Sequence, residues 1–386
     1  MRAARDPADP AFQRDWLRLA RSENVGPASF RSLLRRFGDP GAALDALPDL
    51  AARGGAKRRI VVASRADANA ELDAGVAFGA RLVTLADPVY PALLAAIDPP
   101  PPLLWAKGAG LEALDCWSLG VVGARNASSL GQRFARWFAQ EAVGAGFAVV
   151  SGLARGVDGA AHQGALEGEA PQGVARPPTL AVLAGGIDRP YPPQSAEIHR
   201  AVAERGLLVS EAPMGLDPTA RHFPRRNRLI SGLSLGVVVV EAAERSGSLI
   251  TARLAAEQGR EVMATPGHPF DPRAAGVNAL LRDGATMVRH IGDALEALGP
   301  QLRETPAPRQ GLLMEDPAEA PPHPGDPGPE ARAALLNQLS LAPVPMDALF
   351  RSAGIDAAAG AAALLELELA GLVEREAGAM VRRLAA

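Results

Sequence analysis

The chain contains Ala148-Val149-Val150-Ser151-Gly152 and Gly236-Val237-Val238-Val239-Val240-Glu241, two β-branched apolar runs that lead directly into turns. Strands that are buried on both faces of a parallel sheet have this continuous apolar character. Ligands bind such sheets where the strands end, because the helices that follow offer unpaired N–H groups to anions. The two stretches therefore predict an α/β fold with an anion-binding edge.

Strands and helices alternate around these stretches, which indicates a doubly wound, extended Rossmann-like parallel sheet in residues 81–302. The predicted strands are 119–122, 148–151, 179–183, 207–210, 237–241, 261–264 and 285–288. The predicted helices are 130–143, 159–166, 196–203, 249–258 and 277–281. Gly or Pro stands at most of the helix ends, as expected where a helix stops.

A small helical domain is predicted ahead of the sheet, in residues 1–80. A Gly26-Pro27 turn precedes an amphipathic helix that stops at Gly38, a pattern that resembles a SAM or helix-hairpin-helix module. The hairpin of such a module can touch a DNA backbone, and the alternative is a domain that serves packing alone. After the sheet, prolines with acidic residues between them mark 303–330 as a linker.

A second small domain, residues 331–386, resembles a winged helix. Helices are predicted at 331–339, 346–352 and 357–371, followed by a hairpin of 372–376 and 380–383. The third helix holds the recognition position, yet it carries Glu366 and Glu368 with no Lys or Arg to compensate them. Such a surface repels phosphates, so a protein-contact or structural role is favoured over DNA binding.

Composition limits the function classes. A chain of 386 residues implies two or three domains. The single cysteine, Cys116, rules out an internal disulfide and a cysteine-based zinc site. We find no long apolar span and no leader sequence, so we expect a soluble, cytoplasmic protein with no membrane partner. The net charge is −3, so contacts with nucleic acid must come from local basic clusters.

The densest basic cluster is His222-Phe223-Pro224-Arg225-Arg226-Asn227-Arg228, with three guanidinium groups and one aromatic ring. Arginine binds phosphate through two parallel hydrogen bonds, and phenylalanine offers a face on which bases stack. Arginines at the start of a helix oppose its dipole unless an anion lies there. The cluster therefore indicates nucleic-acid binding, while one or two of its arginines could instead be buried against Glu211 or Glu241.

Other candidate ligand residues follow the predicted strands. The first strand leads into Gly123-Ala124-Arg125, the third into Gly185-Gly186 with Tyr191 beyond, and Ser246-Gly247-Ser248 opens a later helix. The dinucleotide fingerprint G-x-G-x-x-G and the lysine-containing P-loop are both missing from the sequence. We therefore expect no NAD site, no ATP hydrolysis by the usual route and no cofactor.

The second strand ends in Ser151-Gly152-Leu153-Ala154-Arg155-Gly156-Val157-Asp158, with His162 four residues further on. The spacing places Asp158 and His162 on one face of a helix, where Asp158 could cap the helix and orient the imidazole. Catalysis or metal binding would need a third partner at ligand spacing, and none is present. A structural hydrogen bond is the favoured interpretation, and ligand contact is the alternative.

Taken in order along the chain, these motifs resemble the DNA-processing protein A family, DprA, also called Smf. The resemblance extends over nearly the whole chain. It is carried by the runs at 151–162 and 222–228, by Ser246-Gly247-Ser248-Leu249-Ile250-Thr251-Ala252, and by Thr265-Pro266-Gly267 with the segment 278–285. It implies a protein without enzymatic activity that binds single-stranded DNA, forms a homodimer and loads the RecA recombinase onto DNA in natural transformation and recombination.

Carried over residue by residue, the resemblance implies a set of DNA-binding positions, to which the strand-end analysis adds two glycines. They are Gly123, Arg125, Ser151, Gly152, Arg155, Gly185, Gly186, Phe223, Arg225, Arg226, Asn227, Arg228, Ser246, Gly247 and Ser248. The chain departs from the family at two places. Ala124 replaces a serine of the usual Gly-Ser-Arg turn and removes one hydroxyl donor. Residues 168–178 form an extra loop that is a candidate for covering or extending the groove.

An enzyme of the lysine-decarboxylase-like phosphoribohydrolase type is the alternative function, because those nucleotide-cleaving enzymes share such a sheet. They use a glutamate on the helix after a P-G-G-x-G-T turn. If Thr251 is matched to the threonine of that turn, the glutamate position falls on Leu254. A hydrocarbon side chain cannot act as an acid or a base, so binding without catalysis is the favoured hypothesis.

Overall fold

The computed structural model describes residues 6–173, 176–303, 327–376 and 378–385. Within these ranges the chain forms an N-terminal helical domain, a nine-stranded sheet covered by helices, and a C-terminal winged-helix domain. Most of the predicted linker, residues 304–326, lies outside the described residues.

The N-terminal domain consists of four helices, α1 (Pro10–Arg21), α2 (Pro27–Phe37), α3 (Pro40–Arg53) and α4 (Arg65–Phe78). The first three begin with proline, whose missing N–H would have no partner in the first helical turn. As the sequence predicts, α2 ends at Gly38, which has a φ of 68°. The ring of Trp16 lies 5.0 Å from that of Phe30 in the domain core. The indole of Trp16 also donates to Pro102 O at 2.9 Å, which ties this core to the sheet domain.

The central sheet has nine strands in the order β1-β2-β6-β5-β4-β3-β7-β8-β9. They are β1 (Arg81–Thr84), β2 (Leu103–Gly108), β3 (Ser118–Gly123), β4 (Ala148–Ser151), β5 (Thr179–Val182), β6 (Leu207–Ser210), β7 (Gly236–Val240), β8 (Glu261–Ala264) and β9 (Thr286–Met287). From β3 the chain proceeds outward to β6, then returns to β7 on the other side of β3. The order therefore reverses between β3 and β7, which is where doubly wound sheets open a ligand crevice.

All seven predicted strands are present, and the seven pair in parallel. Two strands ahead of the predicted ones extend the sheet at one edge, where β1 and β2 pair antiparallel to each other and β2 pairs antiparallel to β6. These two strands lie before the alternating strand and helix units, so no crossover helix forces them to be parallel.

Helices cover both faces of the sheet. They are α5 (Ala92–Ala95), α6 (Ser129–Gly144), α7 (Val157–Glu167), α8 (Ala196–Arg205), α9 (His222–Leu233), α10 (Gly247–Glu257), α11 (Ala275–Arg282) and α12 (Ile291–Arg303). Successive residues of a strand point to opposite faces, so Val238 packs in the core that contains Phe138 of α6, while Val239 packs in the core that contains Leu229 of α9. Three of these helices, α5, α9 and α12, lie outside the five predicted intervals.

The winged-helix domain contains three helices and a three-stranded sheet of order β10-β12-β11. Its elements are α13 (Gly328–Gln338), β10 (Val344–Pro345), α14 (Met346–Ala353), α15 (Ala357–Leu369), β11 (Val373–Glu376) and β12 (Met380–Arg383). The expectation that its two helical glutamates lack positive partners is wrong. Glu366 pairs with Arg332 at 2.5 Å and Glu368 pairs with Arg375 at 2.5 Å, because folding brings arginines of α13 and β11 beside α15.

Within the described ranges, no single helix has the length and apolar composition to cross a bilayer. Among the described helices, α14 and α15 pass the test as a pair, with a bend of 108° between them.

Candidate nucleic-acid interface

The predicted ligand residues gather at the carboxyl edge of the sheet, where the loops after β3, β4, β5 and β7 meet the first turns of α9. A cleft opens there, lined among others by Gly152, Gly185, Tyr191, Phe223 and Arg226. The residues around it fall into two groups. Buried polar groups hold the loops in place, and aromatic side chains and exposed arginines surround the opening.

Arg226 is the centre of the buried group and is only 7% exposed. Its Nη1 donates to Gly152 O at 2.6 Å and to Val182 O, which joins the ends of β4 and β5. Burial lowers the pKa of Arg226 to about 10, and the nearby carboxylate of Asp158 opposes that shift. Arg226 therefore forms the floor of the cleft and fixes the loops that line it.

Asp158 completes the buried group from the first turn of α7. Its Oδ2 accepts hydrogen bonds from Gly152 N at 3.2 Å and Ala154 N at 3.4 Å, so the carboxylate fills the anion site that this loop would otherwise offer. Burial raises the pKa of Asp158, and the Arg226 guanidinium opposes the shift. The predicted capping role is wrong, because Gly156 is the N-cap of α7 and Asp158 lies inside the helix.

His162 has a structural environment rather than a catalytic one. Its Nδ1 lies 2.7 Å from Thr179 Oγ1, so the idea that Asp158 orients the imidazole is wrong. Complete burial lowers the pKa of His162 to about 3, and the charge of Arg226 adds to the effect. The imidazole is therefore neutral at physiological pH and links α7 to the start of β5.

Two aromatic rings, the exposed Tyr191 and the half-buried Phe223, form one wall of the cleft. The rings of Tyr191 and Phe223 lie 5.5 Å apart at an interplanar angle of 48°, and Tyr191 is 44% exposed. The guanidinium of Arg125 lies 5.1 Å from the centre of the Phe223 ring. Folding thus brings the loop after β3, the loop after β5 and the start of α9 together in one aromatic and basic surface, as their positions at the strand ends predict.

Arg189 lines the same cleft and was absent from the predicted residues. It follows Gly185 and Gly186 by a few positions, and its side chain is 51% exposed with Nε 3.6 Å from Asp188. The sequence signal was available, since a basic residue two positions before Tyr191 in a strand-end loop is placed to reach a phosphate beside a stacked base.

The remaining predicted arginines occupy three different environments. Arg228 donates to Glu211 at 2.5 Å and to Pro99 O at 3.1 Å, which confirms that one arginine of the cluster pairs with Glu211. Arg225 is 71% exposed, and its Nη2 lies 3.6 Å from Glu374 of the winged-helix domain. Arg155 is exposed and lines a neighbouring open groove between α7 and α8.

The predicted glycines allow close backbone packing. A Cβ at Gly123 would lie 1.9 Å from Val240 O, and one at Gly152 would lie 2.5 Å from Arg226 Nη2. Gly185 and Gly186 pack against the loop that follows β6, where a Cβ at Gly185 would lie 2.5 Å from Leu216 O. These glycines therefore shape the cleft and bring its loops into contact.

The predicted hydroxyl groups are largely engaged within the protein. Ser151 is buried and donates to Val121 O at 2.6 Å. Ser246 is the N-cap of α10, where its Oγ lies 2.7 Å from that of Ser248. Gly247, between them, is exposed and has open space around it, and Asn227 Nδ2 donates to its carbonyl oxygen at 3.3 Å.

Glu241 fills the helix N-terminus nearest the point where the strand order reverses. Its carboxylate accepts hydrogen bonds from Ser128 N at 2.7 Å and from Ser128 Oγ at the start of α6. The proposed pairing of a cluster arginine with Glu241 is not observed among the described contacts. Carboxylates already occupy the starts of α6 and α7, so the exposed guanidinium groups are the candidates for anion binding beside these two helix starts.

Comparison with known proteins places this architecture in a family. The family model for DNA recombination-mediator protein A matches residues 81–299, which is more than half of the chain. The chain belongs to the DprA family. Models for a DprA-like N-terminal HHH domain and for a DprA winged-helix domain match residues 11–74 and 318–379. The three domains of the DprA family thus follow one another along the chain as the sequence predicts.

Individual members of the DprA family are similar over most of the chain. Protein Smf of Escherichia coli is 40% identical over 295 residues, which are 76% of this chain and 75% of that protein. DNA processing protein DprA of Bacillus subtilis is 39% identical over 220 residues, which are 57% of this chain and 72% of that protein.

Two solved DprA structures are also similar. That of Streptococcus pneumoniae matches with a TM-score of 0.59 at 32% identity and covers 73% of this chain and 95% of its own. That of Helicobacter pylori, described for its single-stranded DNA binding mode, matches with a TM-score of 0.50 at 26% identity and covers 57% of this chain and 97% of its own.

Residues 168–178, predicted as an extra loop, lie between α7 and β5. In its described part, Arg176 donates to Gly146 O and its guanidinium lies 5.9 Å from the Trp117 ring centre. Both partners precede strands, so this part of the loop lies at the amino edge of the sheet. The expectation that it covers or extends the groove is therefore wrong for the described residues, because a connection from a helix into a parallel strand lies opposite the carboxyl edge.

Proposed function

We propose that this chain binds single-stranded DNA in the cleft at the carboxyl edge of its sheet and loads RecA onto that DNA in natural transformation and recombination. One observation carries the proposal. Tyr191 and Phe223 present neighbouring rings at the opening, and Arg125 and Arg189 flank them. Bases can stack on such rings only when they are unpaired, while guanidinium groups bind the phosphates between them.

The proposal gives the predicted residues two different tasks. Four arginines with exposed guanidinium groups are the expected phosphate contacts, namely Arg125, Arg155, Arg189 and Arg225. Phe223 and Tyr191 form the stacking surface. The other members of the predicted set position the backbone and side chains around them. This group comprises Gly123, Ser151, Gly152, Gly185, Gly186, Arg226, Asn227, Arg228, Ser246, Gly247 and Ser248.

Binding without catalysis is part of the proposal. The residue at the glutamate position of the phosphoribohydrolases is Leu254, which is 8% exposed within α10 and has no group that can transfer a proton. His162 is neutral and engaged with Thr179, which leaves it unsuited to act as a general base near pH 7.

RecA loading, homodimer formation and action in the cytoplasm rest on membership of the DprA family. The Helicobacter pylori relative, described for its single-stranded DNA binding mode, supports DNA as the ligand. A RecA-loading protein must act where RecA and DNA are found, which is the cytoplasm.

The test is fluorescence anisotropy with labelled oligothymidylate and with a duplex of matched length. We expect tighter binding of the single strand. Contacts from three or four arginines to phosphates should give a slope of log affinity against log salt of about −2 to −3. Equal affinity for the duplex, or affinity that does not change with salt, would contradict the proposal.

Stacking is tested separately with Phe223→Leu, which keeps an apolar side chain and removes the ring. A stacked base contributes about 1–3 kcal/mol, so affinity for the single strand should fall by at least about fivefold. The matched control is Trp137→Leu on α6, an aromatic side chain that is 41% exposed and lies about two turns from the start of its helix. Equal effects of the two changes would remove the stacking argument.

A further inference from the structure

The C-terminal half of the recognition helix of the winged-helix domain is buried against the N-terminal domain. A Cβ at Gly54, directly after α3, would lie 1.9 Å from Glu366 O of α15. Asn24 Nδ2 donates to Leu369 O at 3.0 Å, and Leu365 and Leu369 are buried in the core shared with the N-terminal domain. In this arrangement α15 cannot lie along a DNA groove over its full length, because the chain's own N-terminal domain covers its C-terminal half.

The N-terminal domain is in turn attached to the sheet domain close to α9. Arg21 Nη1 donates to Glu211 O at 3.2 Å, and Arg31 pairs with Asp98 at 2.5 Å. The side chain of Glu211 pairs with Arg228 of α9. A continuous series of contacts therefore sets the position of the winged-helix domain relative to the helix that carries Phe223 and Arg225.

This position brings the hairpin of β11 and β12 to the edge of the cleft. Glu374 Oε1 lies 3.6 Å from Arg225 Nη2, and the other oxygen of the same carboxylate accepts from Arg382 at 2.8 Å. Glu376 pairs with Arg382 at 2.7 Å from the same hairpin. A carboxylate thus forms an ion pair with the exposed guanidinium of Arg225, two residues beyond Phe223.

We propose that the winged-helix domain restrains DNA binding by holding Glu374 against Arg225 as a competitor of a DNA phosphate. The inference rests on the proposed function, since it requires that Arg225 contacts DNA. Carboxylate and phosphate are attracted to the same guanidinium, so Glu374 competes with a DNA phosphate for the charge of Arg225. A partner that moves the hairpin away would strengthen DNA binding without touching the DNA.

Competition by an attached carboxylate has a signature in the salt dependence of binding. A phosphate that binds a free guanidinium releases counterions, and each such contact contributes about −0.7 to the slope of log affinity against log salt for single strands. A phosphate that displaces Glu374 exchanges one anion for another within the protein. Removal of the Glu374 charge should therefore make the slope steeper as well as the binding tighter.

The experiment compares full-length wild-type protein with Glu374→Gln, Glu376→Gln, Arg225→Ala and the double variant Arg225→Ala/Glu374→Gln, all against labelled oligothymidylate over a salt series. Glu376→Gln is the matched control, because it removes the same charge from the same hairpin and the same Arg382 partner. We expect Glu374→Gln to bind about two- to fivefold more tightly, which is about 0.4–1 kcal/mol, with a slope steeper by about 0.7. Glu376→Gln should show neither change.

The double variant ties the effect to Arg225. If Glu374 acts through that guanidinium, Glu374→Gln should leave affinity and slope unchanged in the Arg225→Ala background. If the wild-type protein binds the single strand but Glu374→Gln and Glu376→Gln change affinity and slope equally, the inference is overturned and the proposed function stands. Failure of all five proteins to bind the single strand would overturn the proposed function, and the inference with it.

Discussion

Replacement of Arg226 by alanine should mainly lower stability, whereas replacement of Arg125 should mainly lower affinity for DNA, although both guanidinium groups border the same cleft. Arg226 is buried and donates to two carbonyl oxygens, those of Gly152 and Val182. Arg226→Ala leaves both acceptors without their donor and leaves the buried carboxylate of Asp158 without its nearest cation. Loss of one partner from such a buried charged arrangement typically costs about 3–5 kcal/mol of unfolding free energy.

A domain of 150–250 residues loses about 2–4 °C of Tm for each kcal/mol, so the sheet domain of Arg226→Ala should unfold about 6–20 °C below wild type. Arg125 is exposed, and its contact with the Phe223 ring contributes about 0.5–1 kcal/mol at most. Arg125→Ala should therefore melt within a few degrees of wild type. Its affinity for single-stranded DNA should fall about tenfold, because a charged hydrogen bond to phosphate is lost.

Differential scanning calorimetry and anisotropy titrations on the two variants check this contrast. Arg226→Ala with the wild-type Tm and greatly reduced affinity would show that Arg226 touches DNA directly and that the division into buried and exposed arginines is mistaken. Arg125→Ala with a large loss of Tm would show that Arg125 is structural.

Three further outcomes are expected. The free energy of unfolding should fall as pH drops below 6.5, by up to about 1.4 kcal/mol per pH unit, because unfolded His162 takes up a proton near pH 6.5 and folded His162 only near pH 3. The raised pKa of Asp158 changes the free energy of unfolding in the opposite direction. Denaturant titrations of His162→Asn and wild type over a pH series therefore isolate the contribution of His162. Identical pH profiles of the two proteins would refute the prediction. A chain that ends at Arg303 should bind single strands at least as tightly as the full chain and stay dimeric by light scattering. Loss of binding with an intact α/β circular dichroism spectrum would instead make the winged-helix domain the DNA reader. Purified protein should neither hydrolyse ATP nor release bases from nucleoside monophosphates, and turnover that disappears in Arg226→Ala would contradict a binding-only role.

The fold was largely predictable because its parallel strands are buried on both faces. Runs such as Val237 to Val240 are apolar at every position, and this pattern can be recognised without knowing which strands pair with them. The strands β1 and β2 carry a weaker signal, since Arg81 begins β1, Lys107 follows the apolar residues of β2, and prolines lie between the two strands. Their antiparallel pairing depends on contact with β6 at the sheet edge, which is a tertiary property.

The location of the candidate site was also predictable from local sequence, because the carboxyl ends of parallel strands lie at one edge of the sheet regardless of the loop sequences. The helical period of α9 was a usable signal as well, since Arg226 lies three and four residues before the buried Leu229 and Ile230 and so shares their inward face. The sequence did not predict which helix N-termini are already occupied by a carboxylate of the chain itself. Asp158 and Glu241 satisfy backbone donors that a phosphate could have bound.

By itself, then, the sequence predicted the seven parallel strands, five of the helices between them, the order of the three domains and the sheet edge where the candidate site lies, because periodicity and composition act over a few neighbouring residues. Only the tertiary structure decided which arginines face solvent and which side chains compete with the ligand. Glu374 and Arg225 are 149 residues apart in the chain and meet only because α15 docks on the N-terminal domain. Contacts at that separation depend on the packing of whole domains, which no local pattern encodes.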